Sequence, residues 1–312
     1  MPTYSVIMNC LNGEKFLRQA IDSLFKQTFQ DWELIFFDSG SYDNSVEIAS
    51  SYGNKVKIFT IEAPIPLGAA RQEAIDKAEG NFLAFLDVDD LWLPEKLELQ
   101  YELMKSGEFD ICYGGVICIN QVNKLLYKEM PMHKSGYIFE QLLTQVEGNW
   151  CTYVINRAKL LAKGTKFNPE LRCSSEEDMV LSFLATNGKG AVINKVIAYY
   201  RVNQSSVTTN NKDRLALERF VTLERLQSEN PGIREQYKDA FNEAMARGHY
   251  YSANCLMGQK KYNEAKLAIK EALKLNKKYL ILYLIINVPL IWKLIHKYKG
   301  YLAPFWLRIL NK

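Results

Sequence analysis

The chain has 312 residues, 48% hydrophobic and 24% charged, the balance of a globular protein long enough for two domains or for one α/β domain with an appendage. Its net charge is only +4, but positions 244–312 hold thirteen Lys/Arg and two Glu, a surplus of +11 that leaves −7 on the first 243 residues. Six scattered cysteines without Cys-x-x-Cys or Cys/His metal spacing read as reduced, mostly buried thiols of a cytosolic protein, and no basic segment precedes the first apolar run, so no signal peptide is expected.

Tyr4 to Met8 is a β-rich apolar run followed by the turn signal Asn9-Cys10-Leu11-Asn12-Gly13, and Glu14 to Phe25 carries Phe16, Leu17, Ala20, Ile21 and Leu24 at helical spacing. A second run, Trp32 to Phe37, ends in Asp38-Ser39-Gly40-Ser41-Tyr42-Asp43, with a helix over Val46–Tyr52 and a third strand over Val56–Ile61. After Pro64 to Gly68 comes a helix, Ala69–Ala78, then an apolar strand, Asn81–Leu86, that stops abruptly at Asp87, Asp89 and Asp90 before Pro94 opens the next helix. Alternation of continuous apolar strands with helices predicts a parallel, doubly wound sheet covered on both faces.

Three strand ends thus carry polar clusters, Asn9–Asn12, Asp38–Asp43 and Asp87–Asp90, and in open α/β sheets ligands bind along the carboxyl edge. Carboxylates crowded there repel one another unless a cation or donor lies between them, and oxygen-only ligation suits Mg²⁺ or Mn²⁺ shared with a diphosphate. The alternative is an acidic loop capping the following helix. Neither Gly-x-Gly-x-x-Gly nor a phosphate-cradling Gly-Lys-Ser/Thr loop is present, so a nucleotide would be held by carboxylates and a metal. Asp38 would accept from the base or ribose; Asp87 and Asp89 would reach the ribose and the metal.

The order of these segments resembles a family 2 glycosyltransferase of the GT-A fold, of the type that builds bacterial cell-surface polysaccharides. Four stretches carry the likeness: Ser5 to Asn12, Asp38-Ser39-Gly40-Ser41-Tyr42-Asp43-Asn44-Ser45, Gly68-Ala69-Ala70-Arg71-Gln72, and Phe85 to Pro94 with its Asp-x-Asp. The resemblance covers about the first 205 residues and implies a mostly parallel α/β sheet flanked by helices. It further implies that Asn9, Asn12, Asp38, Arg71 and Asp87 hold a nucleotide-sugar and that Asp89 binds the metal. Asn9-Cys10, Ser39 and Gln72 depart from the family's usual residues, and Ser39 leaves the nucleobase open. Read alone, Arg71 is equally a surface helix arginine.

Two strand pieces around Gly114-Gly115, a polar loop over Lys128–Ser135, a short helix over Gly136–Leu143 and a strand over Asn149–Ile155 follow. Trp150 either stacks on an acceptor sugar or packs in the core. Ser174 to Leu181 places Glu176, Glu177 and Asp178 at a helix start, which the helix dipole favours by itself. In the family a Glu-Asp pair here supplies the base for a sugar transfer, which implies Asp178 as base and Glu177 as acceptor-positioning support, with inversion at the anomeric carbon. Tyr199 to Val207 resembles the family's Tyr-Arg-x-His loop with Asn203 in place of His, and Arg201 is either a diphosphate contact or a structural partner.

A domain of residues 1–210 is therefore expected, followed by a helical region over 211–312. Lys212–Leu226 and Ile233–Arg247 are helical by pattern, and Ala253, Leu256, Tyr262, Ala265, Ile269 and Ala272 have the spacing of one tetratricopeptide-like hairpin at about 246–276. Beyond it, the basic stretch 277–312 reads either as amphipathic helices on the cytoplasmic membrane surface or as a solvated basic face over ordinary interhelix packing. Tyr279–Ile295 is interrupted by Asn287, Pro289 and Lys293 and is not expected to cross. No nucleic-acid motif accompanies the charge. The resulting expectation is an inverting, metal-dependent transferase, taking a sugar from a nucleotide-diphosphate donor to a glycan or lipid-linked glycan. A nucleotidyltransferase, or a scaffold using its helical tail, are the rivals.

Overall fold

Leu17, Ala20, Ile21 and Leu24 recur at helical spacing, and in the helix α1 (Glu14–Phe25) all four are fully buried on one side. They share one buried core with Val6 and Met8 of β1 (Tyr4–Cys10) and Leu34 and Phe36 of β2 (Trp32–Asp38). The computed structural model describes residues 1–203 and 212–297, and the chain divides into two compact units, Met1–Val207 and Thr208–Lys312.

In the first unit, β1 and β2 are joined by β3 (Val56–Thr60) and β4 (Phe82–Phe85) in the parallel order β3-β2-β1-β4, with α2 (Ser45–Ser50) and α3 (Leu67–Asp76) as connections. Cys10 lies opposite Asp38 and Ile7 opposite Phe85, so the carboxyl ends of three strands stand side by side. The remaining strands are β5 (Leu91–Trp92), β6 (Ile111–Ile119), β7 (Leu125–Glu129), β8 (Gly136–Tyr137), β9 (Val154–Asn156) and β10 (Lys189–Arg201). Helices α4 (Lys96–Met104), α5 (Phe139–Thr144), α6 (Arg157–Ala162) and α7 (Ser175–Leu184) lie between them in the chain. β9 runs antiparallel to both β4 and β6, β10 runs parallel to β6, and β5 runs against β10. The α/β sheet flanked by helices is as expected, with β1 to β4 parallel, but the sheet is mixed: β5, β7, β8 and β9 run against their partners, and these reversed members are not visible in apolar runs.

Three local expectations are corrected. The stretch around Gly114-Gly115 is one nine-residue strand, β6, rather than two pieces. These glycines serve close packing: a Cβ on Gly114 would lie 2.9 Å from Ile197 Cδ1, and one on Gly115 2.6 Å from Met130 Sδ. The strand expected from Asn149 is a 3₁₀ turn, Trp150–Thr152, held by Thr152 donating through N–H and Oγ to the Asn149 carbonyl, with only Val154–Asn156 extended. The polar loop begins after β7, whose five residues are all exposed.

The second unit is helical: α8 (Lys212–Glu229), α9 (Ile233–Gln236), α10 (Lys238–Gly258), α11 (Tyr262–Leu275), α12 (Leu280–Ile285) and α13 (Pro289–Lys297). Ala253, Ala265, Ile269 and Ala272 of α10 and α11 are fully buried, whereas Tyr262 is 44% exposed. A lone hairpin leaves a face open. Here Tyr279, Leu282, Ile286 and Trp292 join that core, so the 277–297 segment is in part ordinary packing. Buried Glu243 gathers Tyr279 Oη, Asn276 Nδ2 and Lys278 Nζ at 3.2, 2.8 and 2.7 Å. No single helix among the described residues is long and apolar enough to cross a membrane, while Lys277–Ile285 and Pro289–His296 meet that criterion only together, across a 117° bend. Tyr301–Leu310 and Ser205–Val207 lie outside the described residues.

Candidate active site

The Asp38 turn is laced to the end of β1. Asp38 Oδ2 accepts from the Gly40 and Ser41 N–H groups at 3.1 and 2.9 Å, and its Oδ1 accepts from Ser41 Oγ. Gly40, at φ 81, supplies the left-handed residue that this turn requires. The Asn12 N–H donates to Ser41 Oγ at 2.8 Å, and Asn12 Oδ1 accepts from the Tyr42 N–H at 3.0 Å. Asp38 is 2% exposed, so this carboxylate shapes its own loop rather than standing open to a ligand. Asn9, one residue before the strand end, carries a buried Nδ2 with no acceptor.

Beyond β4 the chain turns through Asp87, Asp89 and Asp90, which diverge in role. Asp90 is buried, and its Oδ1 accepts from the Arg201 N–H at 2.8 Å, which fixes the turn against β10. Burial, and then the charges of Asp87 and Asp89, hold the Asp90 carboxyl well above the carboxylate range. Asp87 keeps 35% of its side chain exposed. Burial, with the Asp87 charge behind it, pushes the Asp89 carboxyl up to about 6. A divalent cation at these two carboxylates would remove that penalty. Among the described residues no cluster of three or more His, Cys, Asp or Glu side chains could hold a metal alone. The pair therefore fits Mg²⁺ or Mn²⁺, which takes one or two carboxylates and completes its shell with water and phosphate oxygens.

Arg71, on the second turn of α3, is 3% exposed and bridges two parts of the site. Its Nη2 lies 3.2 Å from Asp87 Oδ1, and its Nη1 donates to Glu176 Oε1 at the start of α7. The close approach of the two helices depends on Gly68, where a Cβ would come 3.2 Å from the Ser175 Cβ. Arg71 is thus no surface arginine. The ring of Trp150 lies 5.4 Å from this guanidinium and packs on Phe85 at 4.1 Å, and it stays half-buried.

The first turn of α7 carries Glu176, Glu177 and Asp178. Asp178 is fully buried, while Glu177 lines a small cavity beside Trp150 and Tyr153. Arg201 takes the structural role: Nε donates to the Asp89 carbonyl at 2.8 Å, Nη1 to the Asn120 carbonyl at 2.9 Å and to Asn123 Oδ1 at 2.7 Å, and the guanidinium lies over Phe16. The Arg71–Glu176 pair escaped sequence reading. Its one signal was a third acidic residue ahead of Glu177-Asp178.

Residues 5–164 match the family model described as Glycosyl transferase family 2. UDP-Glc:alpha-D-GlcNAc-diphosphoundecaprenol beta-1,3-glucosyltransferase WfgD of Escherichia coli is 31% identical over 208 residues, covering 66% of this chain and 79% of that protein. In fold, S. aureus TarS 1-349, solved in complex with UDP-GlcNAc, superposes with a TM-score of 0.62 at 15% identity over 88% of this chain and 90% of that one. The mannosyltransferase PcManGT of Pyrobaculum calidifontis, solved with GDP-Man and Mn2+, gives 0.58 at 15% identity, over 94% and 86%.

Proposed function

Because the chain belongs to glycosyl transferase family 2, and is a glycosyltransferase with the GT-A fold, we propose that it moves a sugar with inversion from a nucleoside-diphosphate sugar to a glycan hydroxyl. One observation carries the reading: Arg71 ties Asp87, at the end of β4, to Glu176, in the turn of α7 that bears Glu177 and Asp178. In this reading one guanidinium holds a donor carboxylate beside a base-bearing helix turn.

In this reading Asn9, Asn12 and the Asp38 turn frame the nucleoside, and Asp87 meets the ribose. Asp89 holds Mn²⁺ or Mg²⁺; such an ion, when bound, neutralises charge on the departing diphosphate. Arg71 adds positive charge from the α3 side. Asp178 takes the proton of the acceptor hydroxyl, with Glu177 orienting that hydroxyl on the face opposite the leaving group, and a single displacement there inverts the anomeric carbon. Since Asp178 is buried in this structure, its base role requires the first turn of α7 to present it to the acceptor.

The acceptor we assign is a glycan on a lipid diphosphate carrier in surface-polysaccharide assembly, supported by the activity for which the E. coli relative is named. Peripheral attachment to the cytoplasmic membrane face is supported by α12 and α13, where Leu280, Ile281, Leu284, Leu290, Ile291 and Leu294 are exposed beside Lys277 and Lys293.

Calorimetric titration with UDP and GDP, each with Mn²⁺ and with EDTA, tests the donor reading. Binding of one nucleotide that disappears in EDTA and in Asp89→Ala is expected. A folded protein that binds neither nucleotide excludes UDP- and GDP-linked donors and turns the test to the other nucleoside diphosphates.

A further inference from the structure

The cavity beside Glu177 is chemically specific. Leu142, Val146, Val180 and Leu181 give it an aliphatic lining, and Trp150 and Tyr153 contribute two stacked rings, 5.6 Å apart and 29° from parallel. Its volume is about 50 Å³. A water-sized group needs roughly 10–15 Å³ of such space, so the cavity takes a group of about four heavy atoms.

Two polar features restrict the occupant further. The Trp150 Nε1–H is buried with no acceptor, so a carbonyl brought against that indole edge would meet an unused donor. The Glu177 side chain lines the same cavity and supplies an acceptor. A sugar hydroxyl would lose hydration among aliphatic side chains without filling the space. The methyl of a deoxy sugar would fill about a quarter of it and use neither polar group.

An acetamido substituent has four heavy atoms, a methyl for the aliphatic lining, a carbonyl for the indole N–H and an N–H for the carboxylate. We infer that this cavity binds the 2-acetamido group of an N-acetylated amino sugar that takes part in the transfer, an inference that rests on the glycosyl-transfer reading for the identity of its ligand as a sugar. That sugar is either the acceptor unit or the donor's sugar, since Trp150 and Glu176 line the cavity and both also touch Arg71.

Saturation-transfer NMR on the full chain separates these sources. The probes are the methyl glycoside of N-acetylglucosamine and UDP-N-acetylglucosamine, each beside its 2-hydroxy glucose counterpart, with UDP and GDP binding followed in the same samples. The acetamido methyl is expected to receive the strongest saturation in at least one probe. Val146→Phe, at a position 39% exposed and therefore tolerant of a larger ring, should reduce that signal at least tenfold. A signal in the methyl glycoside assigns the cavity to the acceptor, and a signal in the UDP-sugar alone assigns it to the donor.

Weak methyl saturation in both probes, or a methyl signal unchanged by Val146→Phe, overturns the inference. If nucleotide still binds, the inference falls alone. If neither nucleotide binds, the UDP- or GDP-sugar donor reading falls with it.

Discussion

Arg201 holds the backbone of Asp89: its Nε–H donates to the Asp89 carbonyl at 2.8 Å, and the Arg201 N–H donates to the Asp90 carboxylate at the same distance. The Asp87–Asp90 turn is therefore set by a guanidinium that is 1% exposed and comes from the far end of β10. Arg201→Lys keeps the charge but not the planar fork, leaving the Asp89 or Asn120 carbonyl without its donor. We expect a loss of about 2–3 kcal/mol in denaturant unfolding, since each unsatisfied buried group costs about 1–3 kcal/mol. Metal-dependent nucleotide affinity should fall with it, because the Asp89 backbone is no longer fixed.

The two carboxylates of the α7 turn are separable by experiment. Asp178→Asn is nearly isosteric, and it should preserve donor binding while lowering the transfer rate about 10²-fold or more, the scale of a lost general base. Glu177→Gln should mainly raise the acceptor KM. Wild-type transfer by Asp178→Asn, with transfer lost in Glu177→Gln, would move the base role to Glu177, the carboxylate that already reaches the cavity.

Lys96 is fully buried, with Nζ 3.9 Å from the Trp92 ring centroid and 2.7 Å from Gln100 Oε1. Burial, opposed by Cys151 and Cys112, lowers its ammonium from 10.5 to about 7. A lysine whose folded value is depressed is protonated more in the unfolded chain between those two values, so stability rises with pH across that window and the full penalty is present below it. Lys96→Met should be more stable than wild type by about 1–2 kcal/mol near neutral pH, because an apolar side chain replaces a buried charge. Its stability should be flatter between about pH 7 and about pH 10. Urea unfolding at both ends of the window measures this; parallel curves for the two proteins would contradict it.

The apolar face of α12 and α13 makes its own prediction. Leu284 is 60% exposed, Leu290 68% and Leu294 48%, so Glu at all three should change unfolding stability by no more than about 0.5 kcal/mol per site. The wild-type chain should float with vesicles containing phosphatidylglycerol, less so at high salt, and the triple variant should stay behind. Equal flotation of the two proteins would mean that this face does not meet lipid.

Much of the fold was legible because its signals are local. The helix at Glu14–Phe25 was placed from five apolar residues at helical spacing, and the four parallel strands from continuous apolar runs bounded by turn residues. The strand expected over Asn149–Ile155 shrinks to β9, Val154–Asn156, because so short a run carries no period to bound it, and its reversed direction is set by partners on either side, β4 and β6. Gly114-Gly115 misled because glycine marks both a break and a close approach, and only the neighbours Ile197 and Met130 distinguish them.

The sequence by itself determined the class of sheet, the carboxylates at its edge and the family, since apolar periodicity, strand-end chemistry and motif order are all written along the chain. Tertiary structure alone decided the surroundings of each carboxylate. Asp87, Asp89 and Asp90 are near neighbours, yet Asp87 faces Arg71, Asp89 is desolvated and Asp90 is sealed against β10. Burial and charge partners come from residues as far along the chain as Glu176 and Arg201, and no local pattern encodes those distances.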